Sequence, residues 1–169
     1  IAEEVGLRRG LPVLIFSPEM PKEQLSLRML SSMSGIKHST LRTRNISAVE
    51  KDVFASSLAK LSAAPIYIDD SARLDANALR ARARRTAKRA GSLALVIVDY
   101  IQLMATADEV DNATRNLEVQ GISRSIKALA KELNVPVIAV SQLNRSVDRR
   151  SNQRPILSDL RDSGSIEQD

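Results

Sequence analysis

Four short apolar runs, PVLIFS at 12–17, IYI at 66–68 within PIYIDDS, LALVIVD at 93–99 and VPVIAVS at 135–141, alternate with segments long enough to be helices. Runs of this length, rich in Val and Ile, read as strands covered on both faces. Strands and helices alternating in this order imply a parallel sheet with right-handed crossovers. The expected fold class is therefore α/β, a mostly parallel sheet flanked by helices, with no internal repeat or low-complexity tract.

The intervening segments carry helical signals. Leu25, Met29 and Met33 recur every four residues, and Gly35 ends that run. Ser47 and Glu50 stand in capping-box spacing, and Val49, Val53, Leu58 and Leu61 are expected on the buried face of the helix that follows. Asp75 can cap a basic helix ending at Gly91, with Leu79, Ala83, Ala87 and Ala90 turned inward. Ile122, Ile126, Leu129 and Leu133 mark a helix that closes at Asn134, preceded by a polar stretch at 106–116. His38 is expected in a loop. Beyond Ser141 apolar periodicity fades, which suggests loops and an edge element.

Bulk properties exclude several classes. At 169 residues and 43% hydrophobic content, the chain suits one domain, 1–169, with a real core. The absence of cysteine rules out disulfides, thiolate metal sites and thiol nucleophiles. No apolar run reaches the roughly 18–20 residues of a membrane span, and the first residues lack the order of a signal peptide. A cytoplasmic setting without membrane attachment is expected. The sequence opens at Ile1 and stops at Asp169 within a polar segment, as a piece of a longer protein would.

The net charge of +5 admits an anionic partner such as nucleic acid. Much of the basicity crowds one helix, at Arg80, Arg82, Arg84, Arg85, Lys88 and Arg89. These charges spread around more than half of the helix, which favours a solvated or subunit-contacting face over a DNA-binding one. Aromatic residues are 2% of the chain, too few for a surface that stacks bases on rings.

Each strand ends in polar residues: Ser17 with Glu19, Asp69 with Asp70, Asp99, and Ser141 with Gln142. In an open parallel sheet the ligand crevice lies outside these carboxyl ends. An apolar strand closing on Asp99 has the Walker B pattern, in which the carboxylate holds Mg²⁺, usually through water, beside nucleotide phosphates. A strand-end or helix-cap Asp would look the same. Glu19 fits a general base for a water attacking a γ-phosphate, and equally a first-turn acid at a helix dipole. Gln142 can donate and accept, which suits sensing a γ-phosphate or simply a loop. Asp69 and Asp70 read as strand-end and turn residues in preference to a second metal site. No G-x-x-x-x-G-K-[ST] occurs, so either the protein is no nucleotide enzyme or its phosphate-cradling loop lies before Ile1.

The segments VLIFSPEMPKEQLSLRML, PIYIDDS, LVIVDYIQLM, SRSIKALAKELNVPVIAVSQLNR and RPILSDLRDSGSIEQD resemble, in order and spacing, the RecA-type motor domain of DnaB-type replicative DNA helicases. SQLNR followed by SDLR-x-SGSIEQD is the most specific part. The resemblance implies a RecA-like P-loop ATPase fold, truncated at both ends. It also implies a homo-hexamer that hydrolyses ATP with Mg²⁺ while moving 5′ to 3′ along single-stranded DNA, with primase and a helicase loader as partners. It carries over Glu19 as the catalytic glutamate, Asp99 as the Walker B aspartate and metal residue, and Gln142 as the γ-phosphate sensor. Arg161, Asp162 and Gly164 match the pore loop that grips DNA, although the family often has Glu where Asp162 stands. The polar stretch at 106–116, disorder-prone in composition, sits where the family has its other pore-side loop. The P-loop and the trans-acting arginine finger have no counterpart in the sequence, so the isolated chain is expected to be inactive. A recombinase-like or clock-like ATPase, which should lack SDLRDSGSIEQD, and a non-catalytic assembly module are the alternatives.

Overall fold

The computed structural model describes residues 1–72, 74–101, 112–144, 147–148, 150–156 and 159–160, with 112–118 described by backbone alone. After a short π-helical turn (Glu4–Arg8), the chain runs β1 (Val13–Phe16), α1 (Lys22–Ser34), α2 (His38–Thr43) and α3 (Ala48–Ala63). It continues through β2 (Ile66–Asp69), α4 (Ala76–Ala90), β3 (Leu95–Val98), α5 (Asn112–Leu133) and β4 (Val137–Ala139). The four strands form one parallel sheet in the order β2-β1-β3-β4.

Both central strands are covered on two sides, which explains why β1 reads as an unbroken apolar run. Strand alternation sends Leu14, Phe16, Val96 and Val98 to one face, against Leu79 and Ala83 of α4 and Val119, Ile122, Ile126 and Leu129 of α5. Val13, Ile15 and Leu95 go to the other, against Met29 of α1 and half-buried Leu25 and Leu61. The register levels the carboxyl ends, with Phe16 opposite Asp69 on one side and Val98 on the other, and Val98 opposite Ala139. At the opposite end Gly6 lies so close to β2 that a Cβ there would come within 2.4 Å of Ile66 Cγ1. A side chain in place of Gly6 would require the turn or the Ile66 side chain to shift.

Local signals act where expected. Gly35 closes α1 at φ 72°, a left-handed position that glycine adopts without strain. Ser47 and Glu50 form a complete capping box on α3, and the Asp75 carboxylate accepts from the Ala78 N–H of α4 at 2.7 Å.

Three expectations need correction. Val49, Val53 and Leu58 of α3 are exposed, whereas Leu61 turns inward as expected, joined by Phe54, and Ser57 is buried. The cause is α2, which has little periodicity of its own: Leu41 joins Leu30 and Ile36 in a cluster that draws Phe54 and Leu61 toward it. His38, expected in a loop, is the first residue of α2. Residues 112–116, expected in a polar loop, are the first turns of α5, while 106–111 lie outside the described residues.

Candidate functional site

The crossover leaving β1 leads to β2 on one side, and the crossover leaving β3 leads to β4 on the other. Because β1 and β3 are neighbours, their carboxyl ends flank the point where the two connections diverge, the crevice at which open α/β sheets bind ligands. Pairing continues one residue past the strands. The Asp99 N–H donates to the Phe16 carbonyl at 2.9 Å, Ser17 N–H to Asp69 at 2.8 Å, and Val140 N–H to Val98 at 2.9 Å. Ser17, Asp99 and Val140 therefore stand level at one edge. Glu19 follows two residues after Ser17, and Gln142 two after Val140.

The structure brings Glu19, Asp99 and Gln142 to this edge, all three exposed. Glu19 lies in the loop between β1 and α1, and the acid in the first turn of α1 is Glu23. The helix-dipole reading of Glu19 is thereby removed. Among the described residues, no hydrogen bond or ion pair engages the carboxylate of Glu19 or Asp99. The same residues contain no cluster of three or more His, Asp or Glu that would form a closed ligand set. A lone exposed carboxylate beside an open crevice suits Mg²⁺, which keeps most of its waters and takes one or two protein carboxylates.

Asp69 and Asp70 have other work. Burial pushes the Asp69 carboxyl up, but hydrogen bonds from Arg82 and Ser71 outweigh it and hold the group below its ordinary range. Asp70 accepts the Lys22 N–H at the start of α1, at 3.0 Å. Both are structural, as expected of strand-end and turn residues.

Past Gln142 the chain pairs with a distant segment. Leu143 forms an isolated antiparallel bridge with Leu160, and the Asn144 N–H donates to the Asp159 carbonyl at 2.6 Å. Asp159 is buried and ion-paired with Arg150. The Ile156 N–H, at 2.8 Å, and then Arg150 hold its carboxyl below the usual range. This is the edge element expected after Ser141. Arg161, Asp162 and Gly164 lie outside the described residues, directly after this bridge.

The basic helix is largely committed within the chain. Glu132 of α5 receives Arg80 at 3.0 Å and both Nε and Nη2 of Arg84, Arg82 is held by Asp69, and Arg89 lies 4.8 Å from the Tyr67 ring centroid. Arg84, Arg85, Lys88 and Arg89 are nonetheless exposed, as a solvated face would be. The pairing with Glu132 is not legible in the sequence, because Glu132 is 48 residues from Arg84 and carries no local signal. Arg84 first, then Arg80, pull the Glu132 carboxyl down to about 2 from an ordinary 4.5. A depressed carboxyl contributes stability that is fully present above its unfolded value and lost as pH falls through the folded one. Glu132→Gln should therefore lower Tm at pH 7, and the gap to wild type should close between pH 4.5 and about 2 in thermal melts.

Cavities of ≈590 and ≈650 Å³ are lined by residues such as Gly6, Lys60 and Pro65, and by Tyr67, Arg85 and Arg89; neither is lined by Glu19, Asp99 or Gln142.

Known proteins share this sequence and fold. The model for the DnaB-like helicase C terminal domain matches residues 1–169. The chain is 47% identical over 171 residues to the replicative DNA helicase DnaB of Pasteurella multocida, covering 100% of this chain and 36% of that protein. The corresponding protein of Synechocystis sp. is 45% identical, with 100% of this chain and 19% of the relative covered. The chain thus spans about a third or less of these relatives. Among solved structures, one described as an ATPase domain superposes with TM-score 0.86 at 32% identity, over 96% of this chain and 57% of that one. A DnaB-like replicative helicase, solved to describe its interactions with primase, gives 0.85 at 31% identity, over 96% and 39%. The parallel sheet is accordingly a RecA-like ATPase core, and the chain belongs to the DnaB-like helicase C terminal domain family.

Proposed function

We propose that this domain is the motor of a replicative DNA helicase that couples ATP hydrolysis to 5′-to-3′ movement on single-stranded DNA and to duplex unwinding at the replication fork. The observation that carries the reading is the convergence of Glu19, Asp99 and Gln142 on the topological switch point of the sheet. Asp99 would hold Mg²⁺ through its waters, and Glu19 would accept the proton of the attacking water. When bound, the ion neutralises charge that develops on the phosphate oxygens.

Gln142 would report the γ-phosphate. One residue later Leu143 is paired with Leu160, which precedes Arg161 in the sequence. Arg161, Asp162 and Gly164 are assigned to the DNA backbone, which a glycine and an arginine can approach closely. Partners in this reading are further copies of the chain in a homo-hexamer, single-stranded DNA, primase and a loader, in the cytoplasm at the nucleoid. Without a P-loop lysine, residues 1–169 alone should not turn over ATP.

The test is ATP hydrolysis by the full-length helicase with and without single-stranded DNA, together with unwinding of forks that carry a 5′ or a 3′ loading tail. Stimulation by DNA and preference for the 5′ tail are expected. Hydrolysis indifferent to DNA would contradict the proposal.

A further inference from the structure

The loop that carries Glu19 runs from Ser17 to Pro21 and is held at both ends. Ser17, 2% exposed, donates its hydroxyl to the Met20 carbonyl at 2.9 Å. Pro18 and Pro21 fix their own φ angles and restrict Ser17 and Met20 before them. At the far end, Pro21 occupies the N-cap of α1 and offers no side chain to satisfy the orphan N–H groups of the first turn. The missing cap arrives from elsewhere in the sheet: Asp70, just past β2, accepts the Lys22 N–H at 3.0 Å across 48 residues of sequence. Its neighbour Asp69 serves α4 instead, through Arg82.

We infer that Asp70 is a positioning residue for Glu19, locking the start of α1 and so the height of the Glu19 loop above the strand ends. The inference rests on Glu19 being the general base. Asp70 acts by replacing the cap that Pro21 cannot supply, at a point three residues from Glu19, and not by touching nucleotide or water. Catalytic geometry is sensitive to shifts of about 1 Å, which can cost on the order of 10²-fold in rate. A loop released at one of its two anchors should lose part of that.

The experiment uses the full-length helicase. Asp70→Ala should lower DNA-stimulated kcat about 10-fold with the KM for ATP within about twofold. Amide exchange at Lys22 should accelerate, a readout independent of turnover. Asp70→Asn, whose amide oxygen can still accept, should restore kcat to within about threefold of wild type. In a Glu19→Gln background Asp70→Ala should change the residual rate little, because residues acting as a unit are not additive. Several results would overturn the inference while leaving the base assignment standing: an unchanged kcat in Asp70→Ala, an Asp70→Asn variant as poor as the alanine, or a full additional loss in the Glu19→Gln background. A Glu19→Gln enzyme at full rate would overturn both.

Discussion

Glu19→Gln in the full-length helicase should cut DNA-stimulated ATP turnover by about 10²- to 10⁴-fold, the range general-base catalysis supplies. Nucleotide affinity should stay within about twofold of wild type, since the substitution preserves size and removes the carboxylate's charge, and with it the ability to take a proton, at a residue that binds the nucleotide only weakly if at all. The expectation follows from position: the loop places Glu19 outside α1, at the mouth of the β1/β3 crevice, with no protein cation in the described structure to neutralise it. Steady-state turnover with a nucleotide-binding titration separates the two quantities. A uniform fall in both would mean that Glu19 supports the loop and not the chemistry.

Asp99→Asn should act differently. An amide at the end of β3 keeps the shape but loses the charge that suits a hydrated Mg²⁺, so turnover should fall by about 10²-fold or more, and several kcal/mol of charge stabilisation are at stake in such sites. The distinguishing sign is the metal dependence. The Mg²⁺ concentration for half-maximal turnover should rise in Asp99→Asn and stay unchanged in Glu19→Gln. The fold should survive both changes, because each side chain is exposed while the apolar residues before them, Phe16 and Val98, form the core.

The sheet is legible in the sequence for a physical reason. Strands buried on two faces cannot carry polar residues until they end, so VLIF and LVIV announce both their burial and their last residues. The candidate site is legible by the same logic: Asp99 and Glu19 are polar where a buried strand has just stopped. What cannot be read locally depends on partners distant in sequence. The apolar stripe expected on α3 is displaced because the α2 cluster takes Phe54 in place of Val53 and Leu58. The clamp of Arg80 and Arg84 on Glu132 joins α4 to α5, and the Asp70 cap joins β2 to α1. Neither bond has a periodicity or a spacing to betray it.

The most direct measurement is an experimental structure of the full-length helicase with Mg²⁺ and a non-hydrolysable ATP analogue. The nucleotide is expected on the shelf formed by the carboxyl ends of β1, β3 and β4, with the metal's waters against Asp99, and Glu19 and Gln142 facing the γ-phosphate. A nucleotide seated away from that shelf, or a γ-phosphate beyond reach of Glu19, would contradict the proposed motor site.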